Sequence, residues 1–147
     1  MQFKIDHIGI VVSSLKKKIF HYKKNFGYLQ ITKKIIEPAH NVELVFVGLK
    51  NSFVAIELIR PLSKKSKVYN FLKNNGEGLH HIAYEVTDLN KAIDRHIKNG
   101  SIVVSPVVKG AGHNKTKTIW LYTSDKQLIE LIEKQKKIKS NFDRFTK

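Results

Sequence analysis

No cysteine occurs anywhere in the 147 residues, which excludes disulfides and any metal site built on thiolates. Long apolar runs are missing too, and nothing reaches the roughly 20 residues that a membrane-spanning helix needs. Met1 and Gln2 lead straight into an alternating segment, so no signal peptide is expected and the chain reads as cytoplasmic, with no membrane partner. Acidic residues are scarce: 12 Asp+Glu stand against 27 Lys+Arg, for a formal charge of +15. Such a balance attracts polyanions. Arginine, however, occurs only at Arg60, Arg95 and Arg144, and arginine is the commonest reader of guanine. The lysines are dispersed in short groups, around 16–18, 64–67 and 134–139. Specific nucleic-acid binding is therefore not expected, and the positive field suits an anionic small molecule such as a phosphorylated coenzyme equally well.

What is present is a repeat, and repeats are sought before local motifs. The segment His7-Ile8-Gly9-Ile10-Val11-Val12-Ser13-Ser14-Leu15 parallels His81-Ile82-Ala83-Tyr84-Glu85-Val86-Thr87-Asp88-Leu89, 74 positions later. Near the end of each half, Ile56-Glu57-Leu58-Ile59 parallels Ile129-Glu130-Leu131-Ile132, 73 positions later. Two separate matches at nearly one spacing mark a tandem duplication.

Each half opens with an alternating strand and passes into a helix. Residues 3–12 show strand period, with Phe3, Ile5 and Val11 on one face. Ser13 or Ser14 can cap a helix whose stripe is Leu15, Ile19, Tyr22 and Phe26, ended by Gly27. In the second half Asp88 takes the cap, Leu89, Ile93 and Ile97 form the stripe, and Gly100 terminates. Three β-rich stretches follow each helix, near 29–36, 42–49 and 53–60, then near 101–108, 116–123 and 127–133. Each half thus reads as βαβββ. With 41% hydrophobic residues the chain can bury a core, and one α+β domain is expected over 1–147. Its parts are a module at 3–61, a linker at 62–77, a module at 78–134 and a basic tail at 135–147 that extends as a frayed helix. The linker region contains a short helix near 66–75, with Val68, Phe71 and Leu72 inward.

The repeat keeps two chemical groups in register. Each first strand carries a histidine, His7 or His81, and each last strand carries a glutamate, Glu57 or Glu130, inside an apolar run. A carboxylate in such a run is costly to bury unless it is paired or bound to metal. Two imidazoles and two carboxylates brought together by the duplication would suit one divalent transition ion. Taken singly, a strand histidine is more often a satisfied polar residue, and a strand glutamate more often guards an exposed edge. Ancestry alone could also preserve the register. The joint pattern, both types at both copies, is what points to metal.

Several stretches together resemble a known family: Asp6-His7-Ile8-Gly9-Ile10-Val11-Val12, then Val54-Ala55-Ile56-Glu57-Leu58-Ile59-Arg60-Pro61, then Phe71 to Ala83 with its Gly78-Leu79-His80-His81 segment. Gly110-Ala111-Gly112-His113 and Leu128-Ile129-Glu130-Leu131 continue the likeness, which spans about residues 5–133. These resemble the vicinal oxygen chelate superfamily of glyoxalases, extradiol dioxygenases, epimerases and antibiotic-resistance proteins, and within it most of all the methylmalonyl-CoA epimerase family. The resemblance implies paired βαβββ modules enclosing a cleft and a homodimer. It also implies one divalent ion (cobalt, nickel, manganese or zinc) on His7, Glu57, His81 and Glu130. It implies an acyl-CoA thioester substrate whose α-proton is removed through a metal-stabilised enolate, with Glu43 and Glu130 as the catalytic acid/base pair. Read by itself, Glu43 is equally an exposed strand residue, and its repeat partner is Lys117. His80, of opposite strand parity to His81, is expected to face away from the metal. His113, in the Gly110–Gly112 loop, either contacts substrate or faces solvent, with solvent slightly favoured. Glu57 departs from family members with glutamine there and makes the site one charge more negative. The stretches Val104–Gly112 and Ile119-Trp120-Leu121-Tyr122 match the epimerases less closely, so a lactoylglutathione lyase-like isomerase stays open. So does a non-catalytic module that binds a small molecule.

Overall fold

The computed structural model describes residues 1–113 and 115–134; the expected frayed helix of the tail lies outside them. The first half runs β1 (Phe3–Val11), α1 (Leu15–Phe26), β2 (Leu29–Gln30), β3 (Ile35–Glu37), β4 (Val42–Gly48) and β5 (Ala55–Pro61). α2 (Lys67–Asn75) connects to the second half, β6 (Gly78–Val86), α3 (Leu89–Lys98), β7 (Ile102–Val103), β8 (Val108–Lys109), β9 (Lys117–Tyr122) and β10 (Leu128–Glu133). A 3-10 turn at Ala111–His113 precedes β9.

The helix ends follow local chemistry. The Ser14 side chain accepts from the Lys17 amide, and Gly27 closes α1 in the left-handed region at φ 68°. Asp88 caps α3 through the Lys91 amide, while Asn99, one residue before the expected Gly100, forms its C-cap. Ser66 caps α2. The stripe of α1 is shorter than its sequence suggests, because Phe26 is exposed.

One mixed ten-stranded sheet results, in the order β2-β4-β5-β1-β6-β10-β9-β7, with β3 also on β4 and β8 also on β9. Each half supplies four strands of that order, and the halves join where β1 and β6 pair antiparallel. The expected second strand of each half is divided in two, and the same device divides both. In the first half the Thr32 hydroxyl accepts from the Phe46 amide at 3.0 Å. In the second the Ser105 hydroxyl accepts from the Trp120 amide at 3.0 Å. A side-chain oxygen thus stands in for a ladder carbonyl, and the strand breaks there.

The two faces of the sheet have different tasks. On one, α1 covers Val12, Val45, Val47 and Leu58, and α3 contributes Leu89 and Ala92 to a cluster with Leu121 and Leu131. On the other, α2 sets Val68 against Val11, Leu44, Phe46 and Ile59. The candidate site lies on this second face.

Candidate active site

The pairing of β1 with β6 positions the histidines. Ile8 stands opposite Ile82, so His7 faces Ala83 and Gly9 faces His81. The repeat is therefore folded back on itself about a local twofold, and both imidazoles are buried. Small residues opposite them provide the room. A Cβ on Gly9 would fall inside the His81 ring; Ala83 is the counterpart facing His7.

Strand alternation breaks once on each strand. The register slips between Ile5 and His7 and again between Gly9 and Ile10, leaving Asp6 on β1 and His80 on β6 as extra, bulged residues. A bulge re-aims a side chain. Here each turns toward the histidine that follows it: Asp6 Oδ1 lies 2.9 Å from His7 Nδ1, and His80 Nδ1 lies 3.0 Å from His81 Nδ1. The expectation that His80 faces away is corrected accordingly, since strand parity does not survive the bulge.

Glu57 on β5 stands opposite Phe46, and Glu130 on β10 stands opposite Trp120. These aromatics are repeat equivalents and pack edge-on to the imidazoles, Phe46 at 5.3 Å from His7 and Trp120 at 4.5 Å from His81 between ring centres. The four side chains converge. His7 Nε2 is 3.1 Å from His81 Nε2. Glu57 Oε2 is 3.4 Å from each of those nitrogens, and Glu130 Oε2 is 3.6 Å from His7 Nε2 and 4.0 Å from His81 Nε2.

His113 is also here, contrary to its expected exposure. Its ring stacks on His7 at 5.0 Å and its Nε2 is 3.8 Å from Glu130 Oε2. The turn that carries it closes down because Gly112 has no Cβ to meet the Phe46 ring. Glu37 Oε2 also accepts from the Ala111 amide at 2.8 Å and ties this turn to the first half. Asp6, His7 and His113 form a second group whose ligand-type atoms lie within 4.8 Å of one another.

The charges respond to burial and to each other. Burial pulls the His7 imidazole down, but Glu57 and Asp6 outweigh it and raise its pKa to about 10. Burial pushes Glu57 up, yet His7 and His81 hold it well below the carboxylate range. Burial also dominates at Glu130, where it and the neighbouring Glu57 charge raise the pKa to about 8 against the pull of His7 and a Thr118 hydrogen bond. Burial lowers His81, and burial with the adjoining His81 takes His80 to about 4.

This arrangement fits a divalent ion. Bonds of about 2.1 Å place neighbouring ligand atoms roughly 3.0–3.4 Å apart around an octahedral or tetrahedral centre, close to the spacings of the nitrogens and Glu57. The two carboxylates otherwise lie buried together, which disfavours ionising Glu130 beside the Glu57 charge. His7, His81 and Glu130 together meet the spacing of a metal group, and Glu57 completes the set of four.

Glu43 is not brought to this group. On β4 it stands opposite Arg60, three positions out of step with the Phe46–Glu57 pair, so it projects from the other face of the sheet. There its carboxylate accepts from Arg60 Nε at 2.6 Å and meets Lys34 Nζ at 3.1 Å. The Arg60 and Lys34 bonds outweigh burial and lower its pKa. The repeat explains the Lys117 substitution: Lys117 pairs with Glu133 at 3.9 Å, at the places equivalent to Glu43 and Arg60. The cross-strand ion pair is kept with its signs exchanged. Glu43 is buried, so the exposed-strand alternative also fails.

Above the ligand group opens a cavity of about 300 Å³. Glu57, Glu130, His80, His113 and Trp120 reach it from the floor, Leu44, Ile59 and Val104 give it apolar walls, and Lys67 and Lys109 add positive charge. Asp6, His80 and Trp120 are site residues that the sequence reading misses, and His113 is one that it holds only as a weaker candidate. The first two had a signal, each preceding a candidate ligand at the same repeat offset, and Trp120 is the repeat partner of Phe46.

The family model for the Glyoxalase/Bleomycin resistance protein/Dioxygenase superfamily matches residues 6–119, and the chain belongs to that superfamily. Among curated relatives, the mitochondrial methylmalonyl-CoA epimerase of Dictyostelium discoideum is 34% identical over 134 residues, covering 89% of this chain and 78% of the relative. The ethylmalonyl-CoA/methylmalonyl-CoA epimerase of Cereibacter sphaeroides is 32% identical, covering 83% of this chain and 90% of the relative. The crystal structure of methylmalonyl-CoA epimerase from Mycobacterium tuberculosis superposes with a TM-score of 0.80 at 24% identity, covering 90% and 89% of the two chains. That last likeness carries the fold, the vicinal oxygen chelate arrangement. The curated relatives support an epimerase, an isomerase by reaction class.

Proposed function

We propose that this chain is a metal-dependent epimerase that interconverts the two epimers of methylmalonyl-CoA. One observation carries the reading. Two imidazoles and two carboxylates converge, the carboxylates lining a cavity, in a chain about a third identical to curated epimerases over the aligned residues. His7, Glu57, His81 and Glu130 would hold the ion. When bound, the ion supplies Lewis acidity to the substrate's thioester and carboxylate oxygens, which makes the α-proton more acidic.

The remaining work falls to groups that face the cavity. Glu130, whose carboxylate lines the cavity beside the proposed ion, is positioned to take or return the proton. His113, against Glu130 and also lining the cavity, is the group beside it that can relay a proton. The apolar walls around Leu44, Ile59 and Trp120 exclude water from the reacting carbon, and Lys67 and Lys109 can meet the anionic carrier. Glu43 is taken as a cross-strand tie, since its carboxylate is engaged on the opposite face. Homodimer formation and a cytoplasmic location remain part of the proposal; among the described residues no helix is long and apolar enough to cross a membrane.

The test is exchange of the α-hydrogen of methylmalonyl-CoA with deuterated solvent, followed by mass spectrometry on protein loaded with cobalt or manganese. Exchange that disappears on chelation and returns with metal is expected. A loaded protein that leaves this substrate untouched but isomerises the glutathione hemithioacetal of methylglyoxal would transfer the site to lyase-type chemistry. Glu43→Gln is expected to exchange at nearly the wild-type rate; loss of exchange with metal content intact would restore Glu43 as the base.

A further inference from the structure

The two histidines that meet at the twofold are backed by different groups. Behind His7 stands the carboxylate of Asp6, 2.9 Å from Nδ1. Behind His81 stands the imidazole of His80, with its Nδ1 3.0 Å from His81 Nδ1. Both backing residues are the extra residue of a bulge, so the fold has set them there by the same device at both copies. The His81 Nε2 faces His7 and Glu57. It can serve a metal only if it is bare, which requires the ring proton on Nδ1. That proton points at His80, and a buried N–H left without an acceptor is destabilising.

We infer that His80 is a positioning residue of the metal centre: its Nδ1 accepts the Nδ1–H of His81 and so fixes the tautomer and ring orientation that present Nε2 to the ion. This rests on the metal reading proposed above. His80 must then carry its own proton on Nε2. Its ring is held edge-on to Phe71 at 5.0 Å and to Trp120 at 6.0 Å. It also lines the cavity, which puts the outer partner of one ligand, but not Asp6 behind the other, in contact with whatever binds there.

Three substitutions separate a hydrogen-bond role from a packing role. His80→Gln retains an oxygen able to accept the Nδ1–H, His80→Phe retains the ring against Phe71 and Trp120 without an acceptor, and His80→Ala retains neither. Cobalt and manganese affinities are measured by competition with a chromophoric chelator, and the visible spectrum of the cobalt protein reports the ligand field independently of turnover. Circular dichroism and melting establish that each variant is folded. Loss of an outer partner of a metal-bound histidine typically costs roughly 10- to 100-fold in affinity. That loss is expected for His80→Phe and His80→Ala, with His80→Gln within a few-fold of wild type and with a wild-type cobalt spectrum. The reverse order, with Phe like wild type and Gln like Ala, overturns the inference in favour of ring packing, and so does wild-type affinity in all three. If His80→Ala does not fold, the Phe and Gln contrast decides alone. Wild-type protein that retains neither ion overturns the metal reading itself, and this inference with it; that outcome is visible before any variant is made.

Discussion

The two halves of the sheet carry the same ligand pair in the same register, yet they are not chemically equal. In the first half, His7 is backed by a carboxylate, faced by Ala83 and stacked on His113. In the second, His81 is backed by another imidazole, faced by Gly9 and packed under Trp120. Glu57 and Asp6 drive His7 toward the charged form, while burial lowers His81. A duplicated scaffold thus fixes where the ligands sit, while residues that differ between the two copies give each histidine its own surroundings. A symmetric cage could hold an ion equally well, but an asymmetric one gives the substrate two different sides.

The contrast between Gly9 and Ala83 should break most sharply. Gly9→Ala puts a methyl where the His81 ring lies, and metal affinity is expected to fall at least as far as with His81→Ala, beyond the roughly 100-fold ceiling of outer-partner losses. Ala83→Gly, at the mirrored position, removes a methyl and creates no clash. It should lower stability by about 1 kcal/mol through backbone entropy and leave metal content unchanged. Elemental analysis and melting of the two variants side by side check both statements. Equal metal loss in both would sink the steric account.

The charge asymmetry predicts a pH dependence for metal binding. Without metal, His7 holds a proton up to about pH 10 and Glu130 up to about pH 8, and both must leave before the ligands can bind. Affinity should therefore climb with pH, with two protons released per ion below pH 8 and one between pH 8 and 10. Calorimetry in buffers of different ionisation enthalpy counts them. The stability of the metal-free protein moves the other way. Both raised groups bind a proton in the folded state that the unfolded chain has released, so above pH 6.5 folding stability falls as pH rises toward 10. Below that, His81 and His80, both lowered, oppose the trend. The melting-temperature gap between loaded and metal-free protein should widen from pH 6.5 to 9; a constant gap would mean that the cluster does not hold these protons.

The smallest expected effect compares the two cross-strand ion pairs. Glu43 is buried between Arg60 and Lys34, whereas Lys117 and Glu133 are both well exposed. Glu43→Gln should destabilise by about 1 kcal/mol, because it weakens a charge-assisted hydrogen bond. Lys117→Gln should be close to neutral, as exposed pairs usually are. Neither should change metal content. Urea unfolding curves resolve the difference, and equal losses would show that burial of the first pair adds nothing.

Much of this was legible before folding. The duplication alone set His7 with His81 and Glu57 with Glu130, and the cap residues Ser14, Ser66 and Asp88 marked three helix starts. What failed were inferences that run along one strand without its neighbour. His80 was placed by parity, which a bulge cancels. His113 was placed by the glycines around it, which suggested a loose loop. In fact the absence of a Cβ at Gly112 is what lets the turn sit on Phe46. The role assigned to Glu43 came from likeness, while its direction is set by the register of β4 on β5.

Periodicity, capping and repetition are properties of a chain with itself, so the βαβββ unit, its doubling and the four residues kept in register are readable along the chain alone. Which face a side chain reaches depends on the partner strand, on bulges that shift parity by one, and on whether a glycine leaves room for a ring arriving from another strand. Those depend on contacts between residues distant in sequence. That Gly9 admits His81, that Asp6 and His80 stand behind the ligands, and that Glu43 turns away emerge only in the folded sheet, because each is settled by what another strand puts opposite it.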